Sequence, residues 1–300
     1  MNLIQENSIV QDEFLEAKKR LKKQQKALMF KRIMRNRGMV IGGITMIFLL
    51  LLAIVGPFLI SYGPYEMIVT DRLQAPSAAH LLGTDNFGRD LLSRMAYGAR
   101  VSLSVGLSVA ALACFFGMIF GLLASYYRAL DNILMRICDG LMAIPGVLLA
   151  IALVAALGPK KENVIIALTI VFIPNVARVV RSAALVVREE TYIEAIRAQG
   201  AKTWRIIVLH IAPNTIAPLV VQASFIFADA IITEAALSFL GAGIPAPEPS
   251  WGNILHDGKV VIFSAWWMTV FPGILIVLSV LGLNLLGDGI RDYIDPHTRK

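Results

Sequence analysis

Charge is scarce in this 300-residue chain. Asp, Glu, Lys and Arg make up 16% of it, against roughly 25% in ordinary globular proteins. Hydrophobic residues account for 57%, more than a water-soluble fold of this length can hide, because part of any such chain must face solvent. The shortage of charge, joined to long apolar runs, excludes a disordered or collagen-like chain. Cysteine is nearly absent as well: Cys114 and Cys138 both lie in apolar stretches, which leaves no disulfide framework. His80, His210, His256 and His297 are scattered, with no H-E-x-x-H and no cysteine pair, so no metal site is expected. There is no G-x-S-x-G nucleophile motif and no phosphate loop, since Gly258-Lys259 lacks the upstream glycine at the required spacing. The chain is therefore not expected to hydrolyse ATP itself or to carry a cofactor. No internal repeat or Gly/Ser linker divides it. What is left is an integral membrane protein.

A helix needs about 20 mainly apolar residues to cross the hydrocarbon core. Six stretches qualify, at about 39–60, 101–127, 133–157, 163–180, 215–240 and 266–287. The first follows a long polar segment and is too long for a signal-peptide core, so it reads as a retained anchor. Barrel strands would be about ten residues long and alternating, which these are not. Lysine and arginine split 21 to seven between the two sides of this arrangement. The rule that cytoplasmic loops carry the excess predicts both termini in the cytoplasm.

Residues 1–38 form a basic N-terminal segment in which Phe14, Leu21 and Leu28 recur every seven residues. It reads either as an amphipathic helix on the cytoplasmic leaflet, held by apolar burial and anionic lipid, or as a soluble basic tail. Residues 39–100 hold the first span and an extracytoplasmic loop whose end, 89–100, has helical spacing. Residues 101–300 hold the other five spans. Ala113, Gly117, Gly121 and Ser125 form a small-residue stripe in span two, read as a packing seam. Pro145, Pro174 and Pro272 are expected to bend their spans. Arg136 and Asp139 stand three apart near the start of span three, as a structural pair or a gate. Asp229 and Glu234 lie within span five. Such carboxylates either line a route or bond to a neighbouring helix. The proline-rich loop 245–258, with Trp251, reads as a lid or docking surface or as a rigid connection.

The stretch 188–213, REETYIEAIRAQGAKTWRIIVLHIAP, is too polar to span and too regular to be a mere connection. Its first half is helical and stops at Gly200. Thr203 is placed to cap a second helix with the apolar face Trp204, Ile207, Val208 and Ile211, and Pro213 is expected to end it. The pair makes a hook whose first helix offers Glu194 and Arg197 beside Ala195 and Ala198, a surface for a partner's groove. An interfacial helix would explain the apolar faces but not the charges.

At these residues the chain resembles the permeases of bacterial ABC importers. Glu194-Ala195, Gly200, Ile211 and Pro213 are similar to that family's EAA loop, with Ile196 where a second alanine is usual and His-Ile-Ala-Pro at the end. The stretches HLLGTDNFGRDLLSRMAYGARVSL, MRICDGLMAIPGVLLAIALVAALG, ALSFLGAG, PSWGNIL and NLLGDGIRDYIDP narrow the resemblance to the second permease subunit of dipeptide/oligopeptide importers, a class with nickel and glutathione relatives. The resemblance implies an all-α type I importer permease fold of six membrane helices. It also implies a coupling loop built on Glu194, Ala195, Arg197, Gly200, Ile211 and Pro213. The implied partners are a second permease, two ATP-binding subunits that hold ATP and Mg, an extracytoplasmic substrate-binding protein and the lipid bilayer, with no nucleic acid. The implied cargo is small peptides, with nickel, another metal chelate or glutathione as the alternative. A solitary channel or a membrane enzyme is the reading from a different class; the first gives no reason for the hook, and the second lacks a titratable cluster.

Overall fold

In a computed structural model, residues 18, 20–22, 24 and 34–294 are described. The basic N-terminal segment, 1–38, read above as an amphipathic helix or a soluble tail, falls mostly outside them. The described chain is helical: α1 (Arg37–Ile54), α2 (Gly56–Leu59), α3 (Leu91–Tyr126), α4 (Arg128–Met142), α5 (Gly146–Leu157), α6 (Lys161–Arg188), α7 (Thr191–Ala198), α8 (Thr203–Ile206), α9 (Ala212–Phe239), α10 (Trp251–Val260) and α11 (Trp267–Ile294). A π-helical turn, Ile207–Ile211, joins α8 to α9. Five helical stretches are long and apolar enough to cross a membrane, and the bent pair α4–α5 meets the same requirement only when its two helices are taken together, as a broken span or a re-entrant loop.

Local chemistry explains where these helices begin and break. Asp90 caps α3 by accepting a hydrogen bond from the Ser93 backbone N–H at 2.8 Å. The helical spacing expected over 89–100 is thus the first part of one 36-residue helix. Pro145 does more than bend span three, since α4 and α5 meet at 95° with Pro145 as the residue preceding α5. A proline in mid-helix lacks the N–H for its ladder bond and crowds the carbonyl one turn back. Pro174 and Pro272, by contrast, are accommodated inside α6 and α11.

Two apolar cores share α3. One runs from Val105 and Ala113 through Ala150 of α5 and Leu168 and Val180 of α6 to Ile206 and Ile211. The other joins Leu49 of α1, Leu91 and Met95 of α3, Trp251 of α10 and Met268 of α11. Ala113, Gly117, Gly121 and Ser125 are all buried, and the glycines press against α6. A Cβ built on Gly117 would lie 2.4 Å from the Val176 Cβ, and one on Gly121 2.6 Å from the Ala177 carbonyl oxygen. Small residues let backbones approach where lipid supplies no hydrophobic drive for association.

The start of α1 and the end of α11 meet: Asn36, before α1, donates a hydrogen bond to Asp292 at 3.2 Å. We expect Gly121→Val to destabilise the purified protein by about 1–3 kcal/mol through overpacking. Gly140→Val, where an added Cβ meets nothing within 4 Å, should be nearly neutral. Thermal unfolding in detergent, followed by size-exclusion chromatography, checks both.

Candidate functional site

The hook is a helix end built on backbone chemistry. α7 finishes in a Schellman arrangement: the Gly200 N–H donates to Arg197 O at 3.0 Å and the Ala201 N–H to Ile196 O at 3.3 Å. Gly200 sits at φ +83°, the left-handed region that a Cβ disfavours. Nothing lies within 4 Å of a Cβ placed there, so only the backbone conformation demands glycine.

Residues of the hook divide by side. Ile193 of α7 is fully buried, as is Ile211, with Ile206 almost so; all three belong to the core shared by α3 and α6. Glu194, Ala195, Arg197 and Gly200 face outward. Arg197 stacks over the Tyr126 ring at 5.9 Å, and Arg188 donates to Ser125 O at 2.6 Å. These two arginines tie the hook to the end of α3. Glu194 and Arg197 also line a polar cleft of about 450 Å³ with Tyr126, Arg188 and Glu189.

The second hook helix departs from expectation in three ways. Thr203 is the first helical residue, and Lys202 before it makes no side-chain cap. The buried face is Ile206, Ile207 and Ile211, while Trp204 is 61% and Val208 54% exposed. Pro213 does not end the helix. One helical run extends over Thr203–Phe239, because the Ala212 N–H reaches back five residues to Ile207 O. The wider turn rotates the register and takes in a residue that cannot donate.

Ionisable residues within the helices take distinct places. Arg136 does not pair with Asp139. Asp139 instead accepts from Arg178 of α6 at 2.8 Å, because the bend at Pro145 lays α4 beside α6. Arg136 is exposed and lines the same notch as Asp131, Asp139, Arg178 and Arg181. Glu234 is fully buried and accepts from Ser102 of α3 at 3.1 Å and from Ser238 at 2.8 Å. Asp229 is on the exposed face of α9, its carboxylate without a hydrogen-bond or ion-pair partner among the described residues.

Sequence reasoning missed a buried ionic cluster at the end opposite the hook. Asp85 accepts from Arg89 at 2.6 Å and lies 3.4 Å from Arg94, while Arg89 reaches Asp257 of α10 at 3.5 Å. Asp85, Arg89 and Arg94 are buried. Burial pushes the Asp257 carboxyl up from its ordinary value, against the opposing pull of Arg94 and Arg89. His80 adds a contact of 2.9 Å to the capping residue Asp90. The cluster fastens the 61–90 loop and α10 onto α3. Trp251 is also interior: fully buried, it donates through Nε1 to Met95 O at 3.2 Å. Residues 251–260 are a helix started by a capping box between Ser250 and Asn253. That i, i+3 spacing in Ser-Trp-Gly-Asn was the signal available in the sequence.

Residues 113–300 match the family described as binding-protein-dependent transport system inner membrane component, and residues 25–76 match the N-terminal TM domain of oligopeptide transport permease C. A Brucella abortus protein provisionally named as a peptide transport system permease is 49% identical over 90% of this chain and 91% of its own. The dipeptide transport system permease protein DppC of Alkalihalophilus pseudofirmus is 48% identical, covering 89% and 88%. The glutathione transport system permease protein GsiD of Pectobacterium atrosepticum is 42% identical, covering 89% of each. Among solved structures, a chain of the MetNI methionine ABC transporter shares the fold at TM-score 0.50 and 23% identity. That match covers 64% of this chain and 94% of the other.

The ionic cluster makes a direct prediction. Asp85→Ala leaves two buried guanidinium groups without their shared carboxylate, and breaking a buried pair from one side costs about 3–5 kcal/mol. We expect faster proteolysis within the 61–90 loop and a lowered melting temperature in detergent.

Proposed function

Because the chain belongs to the family of inner membrane components of binding-protein-dependent transport systems, we propose that it forms half of the path for short peptides in an ATP-driven importer. It is a multi-pass protein of the inner membrane and a transport subunit rather than an enzyme. In our reading a second permease completes the path, two ATP-binding subunits supply ATP and Mg chemistry, and an extracytoplasmic binding protein delivers the cargo. Peptides are preferred because the relatives at 48% and 41% identity are named for dipeptide and di/tripeptide transport. Glutathione, itself a small peptide, is the second reading, favoured by the relative at 42%.

The observation that carries the mechanism is the two-sided hook. Its outward side offers Glu194, Ala195, Arg197 and Gly200, and its inward side plants Ile193 and Ile211 in the core of α3 and α6. A partner that grips the outward side therefore moves spans rather than a loose loop. Packed interiors transmit displacement because they cannot compress. ATP shifts the path between its inward- and outward-facing states only by binding them differently, through the ATPase subunits. The lysine and arginine split supports a cytoplasmic hook with both termini on the same side, and the Asn36–Asp292 contact is consistent with it.

Mild-detergent co-purification from the native membrane, read by mass spectrometry, should bring down a second six-span permease and ATPase subunits. Deleting 194–200 should lose the ATPases, and recovery of a folded chain alone would refute the reading. Gly200→Val should insert and fold normally, since no neighbour obstructs it, at a local cost of about 1 kcal/mol or more for the left-handed backbone. Peptide uptake should fall sharply, and uptake at the wild-type rate would overturn the hook mechanism.

A further inference from the structure

A groove between α6 and α9, of about 550 Å³, is lined by Asn175, Arg178, Val179, Ser182, Pro218 and Gln222. Its walls are mainly apolar, with Asn175, Arg178, Ser182 and Gln222 set among them. Arg178 lies ten residues, about 15 Å of helical rise, before the end of α6 at Arg188. Arg178 and its partner Asp139 are 50% and 62% exposed. The side chains of Asn175, Ser182 and Gln222 have no hydrogen-bond partner among the described residues. Bare carboxamides and a half-open ion pair do not face lipid tails, where each unsatisfied polar group costs several kcal/mol. With α6 as a span, this face therefore borders water, cargo or another chain rather than lipid tails.

Two neighbouring arginines show which group is available. Arg181 is closed on Asp131 through both arms of its fork, Nε at 2.5 Å and Nη2 at 2.6 Å. Arg178 is held through Nη2 alone, at 2.8 Å from one Asp139 oxygen, which leaves most of its five N–H donors free. A guanidinium in that state can accept a carboxylate on its open side while Asp139 balances its charge in the unloaded groove. Asn175 and Gln222 each present a donor and an acceptor, the complement of a peptide unit. Arg291 lines an adjoining, mainly apolar groove beyond Pro218 and Gln222, which sets a second guanidinium toward the hook end.

We propose that this groove is a transit site for the terminal carboxylate of the cargo peptide, with Arg178 as its anion-recognising residue and Asn175 and Gln222 reading the adjoining amide. The assignment rests on the importer reading above and deepens it.

The test uses the assembled transporter carrying Gln222→Cys, with Cys114 and Cys138 replaced by serine. A sulfonate-bearing and a trimethylammonium-bearing methanethiosulfonate reagent then compete for the new thiol. We expect the anionic reagent to react several-fold faster relative to the cationic one. Arg178→Gln should abolish that preference, Arg178→Lys should keep part of it, and trialanine should slow labelling more than trialanine amide does. Reconstituted with its binding protein and ATP, the Arg178→Gln transporter should take up trialanine about tenfold more slowly, the change expected for loss of one charge-assisted contact worth about 1.4 kcal/mol. Absence of labelling by either reagent would overturn the inference, since another chain or lipid then fills the groove. So would a reagent preference that Arg178→Gln leaves unmoved, or loss of the second permease from that variant. Wild-type vesicles that show no ATP-dependent uptake would fail the importer reading itself, whereas normal uptake with an unmoved labelling ratio fails the groove alone.

Discussion

The close approach of α3 and α6 is the contact on which the rest of the molecule depends. Gly117 and Gly121 leave room for Val176, Ala177 and Val180 of α6 against the α3 backbone, and the apolar core built on that seam continues without a gap into Ile193, Ile206 and Ile211. The hook is thereby an outgrowth of the tightest part of the bundle. Van der Waals packing and small residues do this work because hydrocarbon tails are as apolar as the side chains, so burial alone cannot hold membrane helices together.

With so little charge in the chain, where each charge is placed carries meaning. At the end opposite the hook, Asp85, Arg89 and Arg94 are buried against one another and clasp the loop and α10 onto α3. At the hook, Arg188 and Arg197 hold the far end of α3. Between these ends Glu234 is satisfied internally by Ser102 and Ser238, a bridge from α9 to α3 that also receives the Trp251 backbone, whose N–H donates to Ser102 Oγ at 3.3 Å. The groups left open, Arg178, Asn175, Gln222 and Asp229, lie on the faces of α6 and α9 that neither core covers.

Corrections to the sequence-based expectations share one cause. A 3.6-residue repeat presumes a regular helix, and the two irregular places are where the repeat misassigned faces. The π turn at Ile207–Ile211 turned Val208 outward and carried the helix through Pro213. The 95° break at Pro145 moved α4 beside α6 and gave Asp139 to Arg178 instead of Arg136. Proline announced the second irregularity, although not its size. The first had no local signature beyond Pro213 itself, whose effect depended on whether the preceding turn could widen.

What the sequence alone determined is everything governed by local pattern and bulk composition: a helical membrane protein, the approximate spans, the packing stripe of Ala113 to Ser125, the glycine stop at Gly200 and the family motifs. These follow from length, hydropathy and backbone preference, which neighbouring residues in the chain set by themselves. Tertiary structure decided which side of each helix meets another and which charges find partners. Arg89 with Asp257, Glu234 with Ser102 and Asp139 with Arg178 are joined across distances in the chain that no periodicity spans. Which arginine is closed and which is left open is a matter of angstroms between α4 and α6, and only the folded bundle sets that distance.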